Sequence, residues 1–546
     1  MPENVLFSLR PIWLLGCGAG VGLAILLILA GVISLFRGGA AAVRDVAMEI
    51  VIWPVLLVSV LLTLFSISAA GLDSMGWRFF EQKQAAWHSV TRLFSDEQTS
   101  VEYEVPAHAT DWFAPISVRA GELWEFKIES DRPVVFTLNY PDDAERKDDE
   151  RMLLMANEPF QWTRTPDAFG PLTGAMHKLY FHVSDGRSVS LQSKAEDVVQ
   201  KLALSAVPMS PTAAPLQAFD RRAAAFVIAE GVENRPAKIA VRWSTRPVVP
   251  EAAAIPIVAV GLIAYVGFFL LLQGLFPKLS AVAVATAREA MCQPLYYLLV
   301  ASCAVFLIAM IYTPFFTFGE DVRQYKDSGL TAIMVFSIFF AVWTASVSVA
   351  DEIEGRTALT VLSKPIGRRE FILGKYLGIV APVAVNFIVI GTFFLICTSY
   401  KVVYDARESA NPDITWQHCY EEMAKTAPGL ALYFMEVAVL AAISVAIATR
   451  LPLLPNLVIC TSIYMIGHLL PLLVRSTAGR FEIVAFMGQL FATVLPVLDH
   501  YNVYAAVSAG IPIPLSYVGW VALYSLNYIA IAMLLALALF EDRDLA

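Results

Sequence analysis

The chain is short of cysteine, of basic charge and, over most of its length, of charge of any kind. Six cysteines occur, Cys17, Cys292, Cys303, Cys397, Cys419 and Cys460, and none lies within residues 101–250. That stretch therefore has no disulfide framework. Lys and Arg number 39 against 48 Asp and Glu, a net charge of −9, and an acidic balance argues against nucleic acid as a partner. Catalytic signatures are missing: no Gly-x-Ser-x-Gly, His-Glu-x-x-His or paired Cys-x-x-Cys is present, so the residues point to no hydrolase or zinc chemistry. A nucleotide loop is missing too. The nearest match, Gly367 to Gly374-Lys375-Tyr376, places six residues where a phosphate-binding loop has four and ends in tyrosine instead of Ser or Thr.

What the chain does have is long apolar runs. It is 57 % hydrophobic with a mean hydropathy of +0.62, which excludes disordered and collagen-like classes and points to a membrane protein. Of the 87 charged residues, 38 fall between Val101 and Pro250, where composition is that of an ordinary soluble domain. Nine segments reach the ~20 apolar residues that a helix needs to cross a bilayer core. They are Ile12 to Phe36, Ile50 to Gly71, Ala253 to Phe276, Leu295 to Thr313, Leu330 to Ala350, Leu377 to Ser399, Pro428 to Thr449, Leu453 to Val474 and Leu515 to Phe540. A tenth run, Phe481 to Leu498, is shorter and holds Gly488 and Pro496, which suits a re-entrant or interfacial element. The first run is too long for a signal-peptide core and reads as a retained helix.

The Lys and Arg distribution sets the expected orientation. With the C-terminus cytoplasmic, the inner short segments hold eleven basic residues and the outer ones eight, and five of the eleven crowd between Arg356 and Lys375. This topology puts residues 72–252 outside the cytoplasm. Within them Val101-Tyr103-Val105, Phe126-Ile128, Leu179-Phe181-Val183 and Ile239-Val241-Trp243 alternate apolar and polar residues, the period of a half-buried strand. The expected fold class is thus a polytopic α-helical membrane protein with an inserted β-rich, sandwich-like domain. Trp77, Phe80, Trp87 and Leu93 precede that domain at near-helical spacing, as in an amphipathic helix on a membrane surface. The expected organisation is 1–71 as two membrane helices, 72–252 as the outer domain, 253–276 as a third helix and 277–546 as a second membrane domain.

Between the fifth and sixth expected spans lie Glu352, Glu354, Gly355, Arg356, Thr357, Leu359, Leu362, Ser363, Lys364, Pro365, Arg368 and Arg369. The segment reads as a short amphipathic helix with Ala358, Leu359 and Leu362 on one face, broken by Pro365 and Gly367. Such a helix is too small to hold itself and needs a partner surface, with its end charges setting the register. The plain alternative is an inner loop that obeys the positive-inside rule. Glu354-Gly355-Arg356-Thr357, Leu362-Ser363-Lys364-Pro365, Arg368-Arg369-Glu370-Phe371 and Gly374-Lys375 together resemble the ABC-2 family of ABC-transporter permeases. Ala283 to Gln293, with Arg288 and Glu289, is similar to the elbow helix before that family's first span, and Phe540 to Leu545 is similar to its C-terminus. The resemblance covers about residues 277–546 and leans toward the branch linked to multicopper-enzyme maturation.

The resemblance implies that the segment is a coupling helix docking on a separate ABC ATPase. It implies that ATP and Mg are held by that partner, that this chain carries no cofactor and is not itself an enzyme, and that two permease copies assemble. Membrane lipid and an unidentified substrate, moved outward, are the remaining partners. A different reading is a polytopic receptor or scaffold whose outer domain binds an envelope component.

Ionisable residues at membrane depth are functional candidates by default. Glu436 and His468 qualify. Glu436 either lines a polar pathway, pairs across a dimer or is a hydrogen-bonded packing carboxyl; His468 is favoured as a neutral ring bonding backbone freed by Pro471. Asn386 and Asn527 read as interhelical hydrogen-bond partners. Gly16, Gly18, Gly20 and Gly22 give overlapping Gly-xxx-Gly spacings, read as a face packed against the permease core in preference to a dimer contact. His418-Cys419 in an outer loop is too weak a pattern for a metal site.

Overall fold

The computed structural model describes residues 3–35, 49–74, 83–92, the strands between 99 and 245, 249–313, 321–350, 352, 367–408, 415–477, 486, 495–503, 506 and 511–541. The chain divides into two compact units, Met1–Phe79 with Ala254–Ala546, and Phe80–Ala253.

The first unit is helical: α1 is Glu3–Ser34 and α2 is Trp53–Ser74. In the second unit α3 is Lys83–Arg92. The first unit resumes with α4 Ala254–Leu275, α5 Pro277–Cys292, α6 Pro294–Tyr312, α7 Asp321–Ala345, α8 Arg368–Glu408, α9 Trp416–Ala448, α10 Leu453–Thr477 and α11 Leu515–Glu541. Among the described residues seven helices are long and apolar enough to cross a membrane, and two more, Trp53–Ala69 and Leu453–Leu469, are shorter apolar helices. The protein is therefore a multi-pass membrane protein. Seven of the nine expected segments lie in these spans, and the second and eighth lie in α2 and α10, which hold the two shorter apolar stretches. Residues 51 and 52 form a turn, and α2 begins only at Trp53, with Pro54 in its first turn, a position where proline's missing N–H costs nothing.

Lipid offers no hydrogen bonds, so helices that satisfy their own backbone are what spans it. Their faces then sort by packing. On α9, Glu436, Val437, Val439, Leu440, Ala441 and Ala442 are all fully buried, so α9 is enclosed on every side and forms the centre. Around it α7, α8 and α11 bury Ile333, Ile379, Phe394 and Ala536. At 41 residues, α8 is about 60 Å long and exceeds the ~30 Å hydrocarbon core.

Helix α1 lies between α2 and α4 because its glycines let two backbones approach from different sides. A methyl group at Gly16 or Gly20 would strike Leu62, Ser66 or Thr63 of α2; one at Gly18 or Gly22 would strike Ile255, Val258, Ala259 or Leu262 of α4. Hydrogen bonds complete the seam: Ser66 Oγ donates to Trp13 O at 3.0 Å, Tyr265 OH to Val51 O at 2.9 Å, and Ser399 Oγ of α8 to Ser8 O at 2.8 Å. The glycine face thus packs within the chain, on α2 and α4 and not on the expected 277–546 core, because its two rows of glycines face those two helices.

The second unit holds α3 and the strands. Antiparallel β1 (Thr99–Val105) pairs β7 (Ala237–Thr245) in the register Thr99↔Trp243 to Val105↔Ala237. β2 (Leu123–Ser130) and β5 (Ser188–Gln192) extend this sheet to four strands, and a second sheet centres on β3 (Val134–Pro141) between β4 (Met176–Val183) and β6 (Ala224–Gly231). Ser89 Oγ of α3 accepts from Val249 N at 3.1 Å.

Candidate functional site

The candidate segment leaves α7 and enters α8, and each end is held. Past Ala345 the α7 backbone changes to a π-helix over Ser346–Ala350, a form found mostly as short insertions at functional sites. One amide clasps it from α10. Asn456 Nδ2 lies 2.9 Å from Ser346 Oγ and 2.9 Å from Ser444 Oγ of α9, and Cys460 Sγ donates back to Asn456 Oδ1 at 3.3 Å. Two residues beyond the π-helix, Glu352 Oε1 receives Lys375 Nζ at 2.6 Å. This ion pair closes the chain across residues 353–366. Glu354, Gly355, Arg356, Thr357, Leu359, Leu362, Ser363, Lys364 and Pro365 lie outside the described residues.

The entry to α8 is capped by its own sequence. Glu370 reaches back to accept from Gly367 N at 2.8 Å, one half of a capping box. Arg368 and Arg369 stand exposed in the first turn, where a positive charge opposes the helix dipole, so helix stability does not explain them. Arg368 Nη1 donates to Glu541 O at 3.3 Å, and Phe371 stacks on Phe540 with ring centroids 5.8 Å apart. The C-terminal end of α11 is thereby tied to the start of α8.

Helix α5 completes the frame. Gly374 and Gly378 of α8 let it approach so closely that a methyl group at Gly378 would fall 2.6 Å from Ala283 O, and one at Gly374 2.7 Å from Val282 Cβ. The buried face of α5 includes Val282, Ala283, Thr286, Ala287 and Ala290. Its opposite face carries Ala281, Val284, Ala285, Arg288, Glu289 and Cys292 around an open concavity of about 510 Å³. Residues far apart in sequence, 277–292, 352, 367–378 and 540–541, thus gather at one end of the helical unit.

The family model described as ABC-2 family transporter protein matches residues 40–545. The chain belongs to the ABC-2 transporter family. No match was found among curated proteins. The family match begins at residue 40, whereas the resemblance read from the sequence begins near 277.

At membrane depth this ABC-2 chain joins two residues that the sequence reading treats apart. His468 Nε2 of α10 lies 2.7 Å from Glu436 Oε1 of α9. His468 therefore bonds a carboxyl group and not backbone freed by Pro471. Glu436 is fully buried, and its second oxygen, Oε2, has no partner among the described residues. Tyr464 sits edge-on to the His468 ring at 4.8 Å. Asn386 does bond between helices, donating to Ser337 Oγ of α7 at 2.8 Å, whereas Asn527 donates to Leu523 O of its own helix at 2.9 Å.

Several polar contacts escape sequence reasoning. Lys326 of α7, 1 % exposed, pairs with Glu422 of α9 at 2.6 Å. His418 and Cys419 lie not in a loop but in the first turn of α9. Thr415 caps that turn by accepting from His418 N at 3.4 Å, and Cys419 is buried while His418 is exposed. On α11, Tyr517, Tyr524 and Tyr528 bond His500 O, Val497 N and Leu495 O at 2.8, 2.8 and 3.2 Å. The spacing i, i+7, i+11 was a legible signal, because it places all three on one helical face.

Proposed function

We propose that this chain is the permease subunit that couples ATP hydrolysis by a separate ABC ATPase to movement of a substrate across the membrane. The observation that carries this reading is the framed segment 353–366. Its flanks are locked by Glu352–Lys375, by the Gly367–Glu370 cap and by the packing of α8 on α5. Force applied to that segment reaches α7 and α8 together, and both contact the central helix α9. Glu352, Glu354, Gly355, Arg356, Thr357, Leu359, Leu362, Ser363, Lys364, Pro365, Arg368 and Arg369 form the docking surface, with Arg288 and Glu289 of the elbow helix beside it. ATP and Mg belong to the partner, and its nucleotide-driven closure shifts the permease between inward- and outward-open states.

In this reading two permease copies assemble with two ATPases, the C-terminus is cytoplasmic, and residues 72–252 form a β-rich, sandwich-like domain outside. The paired strands support that domain class. Glu436 and His468 line the pathway, and transport is outward. The test is co-purification of the full chain, tagged at the C-terminus, in mild detergent. Recovery of an ABC ATPase that is lost when Glu354, Gly355 and Arg356 are replaced supports the reading. Recovery of an envelope protein without any ATPase, even after crosslinking, overturns it.

A further inference from the structure

Among the described residues Asn527 bonds no neighbouring helix. It sits near the middle of the apolar span Leu515–Glu541, faces outward, and has as its hydrogen bond the one to Leu523 O. A polar side chain at that depth normally faces protein, and asparagine there serves to bond between helices. The residues around it form a seam. Ser516, Trp520, Leu523, Asn527, Ala530 and Leu534 recur at alternating spacings of four and three, the heptad repeat of two helices wound on each other, and all six are exposed. Trp520, Leu523 and Leu534 are 72 %, 52 % and 67 % exposed.

We propose that this seam of α11 is where a second copy of the chain packs, with Asn527 against Asn527 of that copy. The carboxamide is donor and acceptor at once, so it is its own complement. Two copies inserted the same way run parallel, and a two-fold axis along the membrane normal brings the same residue of each to the same depth. A single asparagine in an apolar seam fixes register and partner number. The inference deepens the two-copy assembly proposed above and rests on that reading for the subunit count alone.

The test is oxidative crosslinking of the full-length protein in its native membrane, with single cysteines introduced at Leu523, Asn527, Ala530, Leu526 and Leu535. Leu526 and Leu535 are 63 % and 53 % exposed but lie off the seam, and the unmodified chain with its six cysteines gives the background. Disulfide-linked dimers are expected for the Leu523→Cys, Asn527→Cys and Ala530→Cys chains, with Leu526→Cys and Leu535→Cys at background. Subunit counting in liposomes adds a second readout: Asn527→Leu weakens the dimer by roughly three- to thirtyfold, and Asn527→Gln restores most of it. Equal crosslinking on and off the seam, a crosslink to a different protein, or dimers indifferent to Asn527→Leu overturn the proposal. ATPase co-purification reports separately: seam dimers without a bound ATPase leave this inference standing while the permease reading falls, and an ATPase-bound dimer joined elsewhere does the reverse.

Discussion

Glu436 and His468 hold each other inside the membrane, so neither is removed alone without consequence. Glu436→Ala leaves the His468 ring without its partner and is expected to cost about 1–3 kcal/mol; Glu436→Gln keeps an oxygen at that place and costs less. Thermal unfolding in detergent separates the two, and equal midpoints would show that the bond contributes nothing. Lys326 and Glu422 make a stronger case, because Lys326 is only 1 % exposed. Removing one member of a buried pair costs about 3–5 kcal/mol, while replacing both with apolar groups is often close to neutral. Lys326→Met is therefore expected to destabilise more than Lys326→Met combined with Glu422→Leu, and unfolding midpoints that simply add would refute the pairing. The sequence marks Glu436 and His468 as unusual through hydropathy alone. Nothing local marks Lys326, which sits at the start of a helix among ordinary polar neighbours.

At the scale of elements, glycine and tyrosine set how helices meet. The approach of α5 to α8 depends on Gly374 and Gly378, and a larger side chain at Gly378 meets Ala283 O and Thr286 Cβ at 2.6 Å. Gly378→Leu is expected to part the two helices, lowering ATPase recovery on co-purification while the chain still inserts. Recovery at the normal level would show that the elbow helix is not part of the docking frame. The tyrosine face of α11 bonds the backbone of Leu495, Val497 and His500, and buried backbone polar groups are costly to leave unpaired. Tyr524→Phe frees Val497 N–H and should speed its hydrogen exchange. Tyr528→Phe should not, because that hydroxyl serves the Leu495 carbonyl. The glycine spacing of α1 was readable as a close-packing face. Which glycines meet α2 and which meet α4 was not, because two neighbours share one helix and its spacing does not rank them.

For the whole molecule, the proposed task is to turn closure of a partner ATPase into movement across the bilayer. Replacing Glu354 or Gly355 is expected to leave a folded chain in which ATP hydrolysis continues without transport, measured in vesicles holding the assembled complex; unchanged coupling would remove the segment from its proposed role. The ABC-2 family was legible from residues 277–546, where charge and apolar pattern lie in short contiguous stretches, and the family match extends it to 40–545. The amino-acid sequence by itself determined that the chain is multi-pass and where its long apolar helices run, because insertion depends on the composition of one segment at a time. Only the tertiary structure decided that Glu436 meets His468 across 32 residues, that Lys326 meets Glu422 across 96, and that residues 277–292, 352, 367–378 and 540–541 share one end. Those meetings follow from which helix faces pack together, a property of the assembled bundle that no local pattern contains.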